Sequence, residues 1–270
     1  MHTTTTALHT IASLPLDPGF PLFRHYAAMK AGVRESVRYY ASLLAAAAER
    51  LIAESGSAGW VVTAPPLYVL PAGANLMAWE LCRMLALRSV DLRYTLPYAD
   101  AGPMDYSATS VESRVANRRE LHEGAGRPRP DPQDFHGRAV LCVNDINVTG
   151  TQQRFLEQTL APLQPAGIHW LYVVQVEPEL GRSHPEVENA LNTLHLATAE
   201  EFTDVLARAD IDYTSRCMAR LFRLSGGELE VLLRSLDAER RARLYRLACE
   251  EGKYSGHAVL ARLAESVSGR

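Results

Sequence analysis

The sequence predicts an α/β protein in which a central, mostly parallel sheet is flanked by helices, strapped by N-terminal helices and followed by a helical appendage. Three observations predict it. Residues 139–143 are a short unbroken apolar run, as a strand covered on both faces of a parallel sheet reads, and residues 59–64 and 168–176 are two further largely apolar strand candidates. Helical periodicity separates them, so strand and helix follow one another as parallel units require. Beyond residue 198 the pattern is helical.

In chain order, residues 1–21 are threonine-rich and then punctuated by proline, which predicts a frayed arm or irregular strap with no basic region leading into an apolar core. Over residues 23–54, Tyr26, Met29 and Val33, then Val37, Tyr40, Leu43 and Leu44, recur at helical spacing, and Ser55-Gly56 closes the segment. This reads as one or two helices packed on a core, with Tyr26 and Met29 inside. A strand over 59–64 runs into Pro65-Pro66, a loop, and a helix over 75–87. Residues 91–96 alternate well enough for a second strand, which Pro97 stops. The glycines and prolines of residues 124–134 read as a loop. A strand over 139–143 follows, then a helix over 152–163 with Phe155, Leu156, Leu160 and Leu163 on one face, and a strand over 168–176. A short helix over 185–191 and an edge strand over 193–196 complete the α/β part. Helices are expected over 200–209, 213–224, 228–236 and 238–249, two of them preceded by capping-box spacing at Thr198/Glu201 and Ser225/Glu228. The organisation is an arm and strap over 1–57, a core over 58–197 and an appendage over 198–270.

The totals narrow the function. With 28 basic and 31 acidic residues the net charge is -3, which argues against a general nucleic-acid binder or a polybasic membrane attachment. No apolar run approaches the roughly 20 residues of a membrane span. Cys82, Cys142, Cys217 and Cys249 lack CxxC spacing, so buried free thiols in a reducing cytoplasm are expected rather than a zinc site or disulfides. No G-x-S-x-G, H-E-x-x-H, Walker A or G-x-G-x-x-G pattern is present. His169 reads as structural or surface. Glu186, Glu188, Glu200 and Glu201 read as a solvated helix face or cap. Lysine occurs only as Lys30 and Lys253, and no function is attached to it.

The stretch Ala139-Val-Leu-Cys-Val-Asn-Asp-Ile-Asn-Val-Thr-Gly-Thr-Gln-Gln153 carries the chemistry. A core strand delivers Asn144 and Asp145 at its carboxyl end, where ligands bind in open α/β sheets. Gly150 lets the backbone approach an anion, the first helical amides lack intrahelical partners, and Thr149 and Thr151 add hydroxyls. A phosphate site next to an acceptor for vicinal hydroxyls describes ribose 5-phosphate.

This stretch resembles the signature of type I phosphoribosyltransferases, a hydrophobic strand followed by two acids, three variable positions and a Thr-Gly turn. The resemblance implies a type I phosphoribosyltransferase-like fold, and it implies that Asp145 and Asn144 hold the ribose of phosphoribosyl pyrophosphate (PRPP). It further implies that Val148, Thr149, Gly150, Thr151 and Gln152 bind its 5-phosphate. Asp145 matches the second acid and is the expected contact for the magnesium ion (Mg2+) that accompanies PRPP. Asn144 departs from the pattern and removes one negative charge. The phrase Pro65-Pro66-Leu67 with Gly73-Ala-Asn75 is similar to the pyrophosphate loop of the competence-protein F-like branch, although Ala72 stands where that branch has arginine. Arg114-Val-Ala-Asn117 matches an Arg-x-x-Asn phrase of the same branch, making Arg114 and Arg118, with Arg119, candidate phosphate contacts. Arg127 and Arg129 lie where type I enzymes carry a flexible hood. The phrase from Tyr26 to Arg34 resembles the leading helix of phosphoribosyltransferase-like proteins of bacterial stress-response operons.

The implied activity is transfer of the 5-phosphoribosyl group to a base or small metabolite, in the cytoplasm, with no nucleic-acid or membrane partner. Two alternatives stand beside it: a sensor or adaptor that binds PRPP or a nucleotide without consuming it, and a competence-type protein with a protein partner on the helices after Thr198. In the family such helices supply the nucleobase pocket or a homodimer contact.

Overall fold

The computed structural model describes residues 2–57, 59–67, 69–87, 91–97 and 131–269. Its centre is a five-stranded sheet in the order β1-β5-β4-β2-β3, formed by His2–Ile11 (β1), Trp60–Thr63 (β2), Leu92–Tyr94 (β3), Ala139–Asn147 (β4) and Gly167–Val176 (β5). All four pairings are parallel, so the expected fold class is the one observed. β4 and β5 lie inside the sheet and are buried along nearly their whole length, which is why their sequences show no alternation.

The N-terminal segment is not an arm. Residues 2–11 form the edge strand β1, paired with β5 from His2 opposite Gly167 to Ile11 opposite Val176. Its threonines are β-branched and half-exposed, suited to a pleated edge, while the lack of a continuous apolar face hides the strand from pattern reading. Thr4 Oγ1 lies 2.7 Å from His169 Nδ1, so His169 is a structural partner of this edge. Since β1 holds that place, no strand forms at residues 193–196, where a helix ends and Leu196 N donates to Thr193 O.

Helices cover both faces. On one side pack Tyr26–Ala31 (α1), Arg34–Ser55 (α2) and Gly73–Ala86 (α3). Val37, Tyr40, Ala41, Leu44 and Ala48 make a buried stripe on α2, and Met77, Ala78, Leu81 and Leu85 do the same on α3, both at helical spacing. On the other side Pro132–Phe135 (α4) and Thr151–Leu160 (α5) bring Phe135, Leu156 and Leu160 against Val140, Cys142, Ile168, Trp170 and Tyr172. Burying one such large side chain contributes roughly 1.5–3 kcal/mol, so the alternating layers are the main source of the sheet's stability.

Two short helices, Pro178–Ser183 (α6) and Val187–Thr193 (α7), lead to the appendage: Ala199–Leu206 (α8), Ser215–Leu221 (α9), Gly226–Ser235 (α10), Ala238–Glu251 (α11) and Ala258–Ser268 (α12). Both expected capping boxes form, Thr198 with Glu201 and Ser225 with Glu228. α12 has no counterpart in the sequence reading, and it starts at His257, whose ring accepts from Val259 N at 3.2 Å. The appendage has its own core, from Phe202 and Leu206 to Leu244 and Leu263, and this core extends to Ala27 and Ala31 of α1 and to Leu70. Of the four free thiols, Cys142 and Cys217 are buried, Cys82 is half-buried and Cys249 is exposed, so burial holds for two of them. No helix of the described residues is long and apolar enough to cross a membrane.

Candidate functional site

From β2 the chain moves outward to β3, then returns across β2 to β4 and moves the other way to β5, which lies beside the first strand β1, so the direction of winding reverses between β2 and β4. Such a switch point opens a crevice at the carboxyl ends of the strands. The register there is uneven. β2 pairs with β4 only as far as Thr63 opposite Cys142, whereas β4 runs on to Asn147, still paired to β5. Asn144 and Asp145 therefore lie within the strand rather than just past it, and they have β2 beside them no longer.

Both side chains are buried. Asn144 Nδ2 donates to Gln152 Oε1 at 2.9 Å and to Ile146 O at 3.3 Å, while its Oδ1 accepts from Asp145 N at 2.9 Å. The amide thus ties β4 to the first turn of α5, and its bond to the Ile146 carbonyl is one that a carboxylate, which has no N–H, cannot make. Asp145 Oδ2 accepts from the Lys30 ammonium and from Tyr26 OH, the latter at 3.3 Å. Lys30 Nζ also lies 3.3 Å from Glu188 Oε1, and Arg216 Nη2 lies 2.9 Å from the same oxygen. Burial, and after it the negative charge of Asp145, holds the Tyr26 phenol well above its ordinary pKa, so the hydroxyl stays a donor.

The turn after β4 is built for close approach. Gly150 has φ 69°, in the left-handed region, and begins α5 without a side-chain cap. Asn147 Oδ1 accepts from Gly150 N at 2.8 Å, Asn147 Nδ2 donates to Gln153 Oε1 at 2.9 Å, and the hydroxyls of Thr149 and Thr151 are 2.9 Å apart. Arg154, one turn on, lies 3.4 Å from Thr151 Oγ1 and adds a positive charge at the rim. Behind the turn stands Gly181 of α6, where a Cβ would come 2.0 Å from the carbonyl oxygen of Val148.

Residues 65–75, at the carboxyl end of β2, form the other wall. Asn75 closes this loop on itself: Nδ2 donates to Pro65 O and Oδ1 accepts from Ala72 N, each at 2.7 Å. Gly73 permits contact with α1, since a Cβ there would meet Met29 Sδ at 2.6 Å. Pro66 and Leu67 are half-buried, and Leu67 N donates to Pro97 O at 3.2 Å. The appendage holds the loop from outside. Leu70 N donates to Glu251 Oε2 at 3.0 Å, and Ser215 N donates to Pro71 O at 2.9 Å.

The structure thus brings Asn144, Asp145, Val148, Thr149, Gly150, Thr151 and Gln152 together at one strand end, with Pro65, Pro66, Leu67, Gly73 and Asn75 on the adjacent one. Gly73 and Asn75 act through the loop's shape. Arg114, Arg118, Arg119, Arg127 and Arg129 lie outside the described residues. Four participants escape the sequence reading: Lys30, Glu188, Arg216 and Arg154. Glu188 is not on a solvated face; it is ion-paired with two cations beside Asp145. Tyr26 is buried as expected, yet its hydroxyl also serves the site. A signal for part of this is present in the chain, because Tyr26 and Lys30 are four residues apart and so share a helix face.

No protein-family model matches the chain, and no curated protein matches it. Among solved structures it is similar to the hypoxanthine phosphoribosyltransferase of Trypanosoma cruzi, with 18% identity and a TM-score of 0.36 over 54% of this chain and 68% of that one. The same protein in complex with its product IMP gives 19% identity and a TM-score of 0.33 over 53% and 68%. A hypoxanthine-guanine phosphoribosyltransferase from Bacillus anthracis gives 16% and 0.32 over 56% and 72%. At these scores the chemistry of the site rests on its own residues.

Proposed function

We propose that the crevice between β2 and β4 binds PRPP, or a ribonucleotide that shares its ribose 5-phosphate, and that the chain transfers the 5-phosphoribosyl group to a base or small metabolite. The observation that carries this reading is the uncapped start of α5, reached through left-handed Gly150, directly beyond a buried asparagine–aspartate pair. Amides at such a helix start, with the positive end of the dipole, suit a phosphate. The described contacts of the Asp145 carboxylate run to Oδ2, so Oδ1 accepts from a ribose hydroxyl. The pyrophosphate lies toward the 65–75 loop. In the transfer, the bond from C1 to the pyrophosphate oxygen breaks, the acceptor atom bonds to C1, and the acceptor's proton passes to solvent. Positioning and electrostatics perform most of this work, with Asp145 steadying the positive charge that develops at C1.

Kinship with the competence-protein F-like branch or with stress-operon proteins belongs to the same proposal, supported by the phrases at residues 65–75 and 26–34. So do Arg114 and Arg118 as phosphate contacts, a cytoplasmic location and a homodimer. A second reading, a ribonucleotide sensor that binds without turnover, is favoured by Lys30 already engaging the pair's one carboxylate. Calorimetric titration with PRPP and ribose 5-phosphate, then an assay of pyrophosphate release against a panel of nucleobases, separates the two. Binding with release supports transfer, and binding without release under any acceptor supports the sensor. Failure of both ligands to bind overturns both.

A further inference from the structure

We propose that Lys30 is the cation of this site, so that the ribose 5-phosphate moiety is bound there without a divalent metal. The inference rests on the reading of residues 144–152 as a ribose 5-phosphate cradle and says how that cradle is charged.

The resemblance to type I phosphoribosyltransferases implies magnesium beside Asp145, and the donor set does not fit it. Magnesium demands near-octahedral oxygen ligation and is ordinarily drawn in by one or two carboxylates. Here Asn144 is neutral and both ends of its amide are engaged, with Gln152 Oε1 and with Asp145 N. The Asp145 carboxylate is paired with an ammonium inside a nearly closed setting, the two side chains being 9% and 12% exposed. Glu188 is drawn by two cations, Lys30 and Arg216.

The charges of Asp145 and Glu188 are thus balanced by those of Lys30 and Arg216. A divalent ion approaching Asp145 would meet the Lys30 ammonium beside the carboxylate, whereas an anionic ligand meets no net negative charge. Lys30 is also held in place. Its carbonyl accepts from Thr214 Oγ1 at 2.6 Å, and Gly32, two residues on, packs so tightly on the appendage that a Cβ would lie 1.8 Å from Asp212 O. The cation and its supporting Arg216 therefore depend on the helical appendage, which completes the site from residues 212–216.

The test is a titration of the full chain with ribose 5-phosphate, which unlike PRPP lacks a metal-chelating pyrophosphate, in excess EDTA and again in millimolar magnesium. The two affinities are expected to agree within about twofold. Lys30→Met is expected to lose about tenfold or more in EDTA and to regain part of it with magnesium, because Asp145 is then open to the metal, while Lys30→Arg behaves as wild type. Wild-type binding that appears only with magnesium overturns the inference and leaves the cradle standing, as does a Lys30→Met variant that binds normally in EDTA. Absence of binding in both media removes the cradle and the inference together. Should Lys30→Met fail to fold, the wild-type comparison decides by itself.

Discussion

Replacing Gly181 with alanine tests the cradle from behind, at a residue that reaches the ligand only through the turn. The new Cβ would lie 2.0 Å from Val148 O and 3.0 Å from its carbonyl carbon, where ordinary contact begins at 3.4 Å. Both atoms are backbone, so no flexible side chain can move aside, and α6 must part from the turn by about 1.4 Å, the difference between 3.4 and 2.0 Å. Overpacking of this kind costs about 1–3 kcal/mol. In a chain of this length each kcal/mol lowers Tm by roughly 2–4 °C. A displacement above 1 Å also takes the amides of Thr149–Thr151 out of hydrogen-bond reach, so ribose 5-phosphate should bind about tenfold more weakly. Gly227→Ala is the control: nothing lies within 4 Å of its added Cβ, and it should melt within about 0.5 kcal/mol of wild type. Thermal denaturation and calorimetric titration read both effects. A Gly181→Ala protein that melts and binds as wild type refutes the close packing, and one that loses stability yet keeps its affinity refutes the turn as the phosphate seat.

Four further outcomes follow from the same geometry. Asn144→Asp removes the donor to Ile146 O, leaving that buried carbonyl facing a carboxylate, and should cost about 1–3 kcal/mol in denaturant titration. Glu251→Gln deletes a buried charge that accepts from Leu70 N and pairs with Lys253 at 3.2 Å; the loss should be about 1–3 kcal/mol, and affinity for pyrophosphate should fall as the 65–75 loop loosens. Tyr26→Phe removes one long hydrogen bond to Asp145 and should cost about 0.5–1.5 kcal/mol, with Lys30 still in place. Burial lowers the pKa of His169 below its ordinary 6.5, so the folded state prefers the neutral ring; stability from this group is present above pH 6.5 and is lost as the pH falls, and His169→Gln should flatten the pH dependence of Tm in that range.

The local parts of this fold are legible in the sequence. Residues 139–153 announce strand, glycine turn and helix because each step is fixed by neighbours in the chain: the apolar run, the Cβ-free residue and the amphipathic face. The same stretch conceals where the strand ends, since pairing of Asn144 and Asn147 with Tyr172 and Gln175 depends on β5, not on polarity. β1 is hidden for a related reason, because four threonines become a strand only when an edge is offered to them. The ion-pair chain around Asp145 is less legible still. Lys30, Glu188 and Arg216 come from segments more than a hundred residues apart or from opposite sides of a helical junction, and no spacing rule connects them. What each contributes is an ordinary charged side chain; its importance lies in the burial that the tertiary fold imposes.

A crystal structure of the full chain grown with ribose 5-phosphate would test the central claim most directly. The account predicts the phosphate seated against the amides of Thr149, Thr151 and Gln152, the ribose hydroxyls at Asp145, and the Lys30 ammonium still on that carboxylate. A ligand bound elsewhere, or a turn at residues 148–152 that stays free of phosphate at saturating concentration, would contradict it.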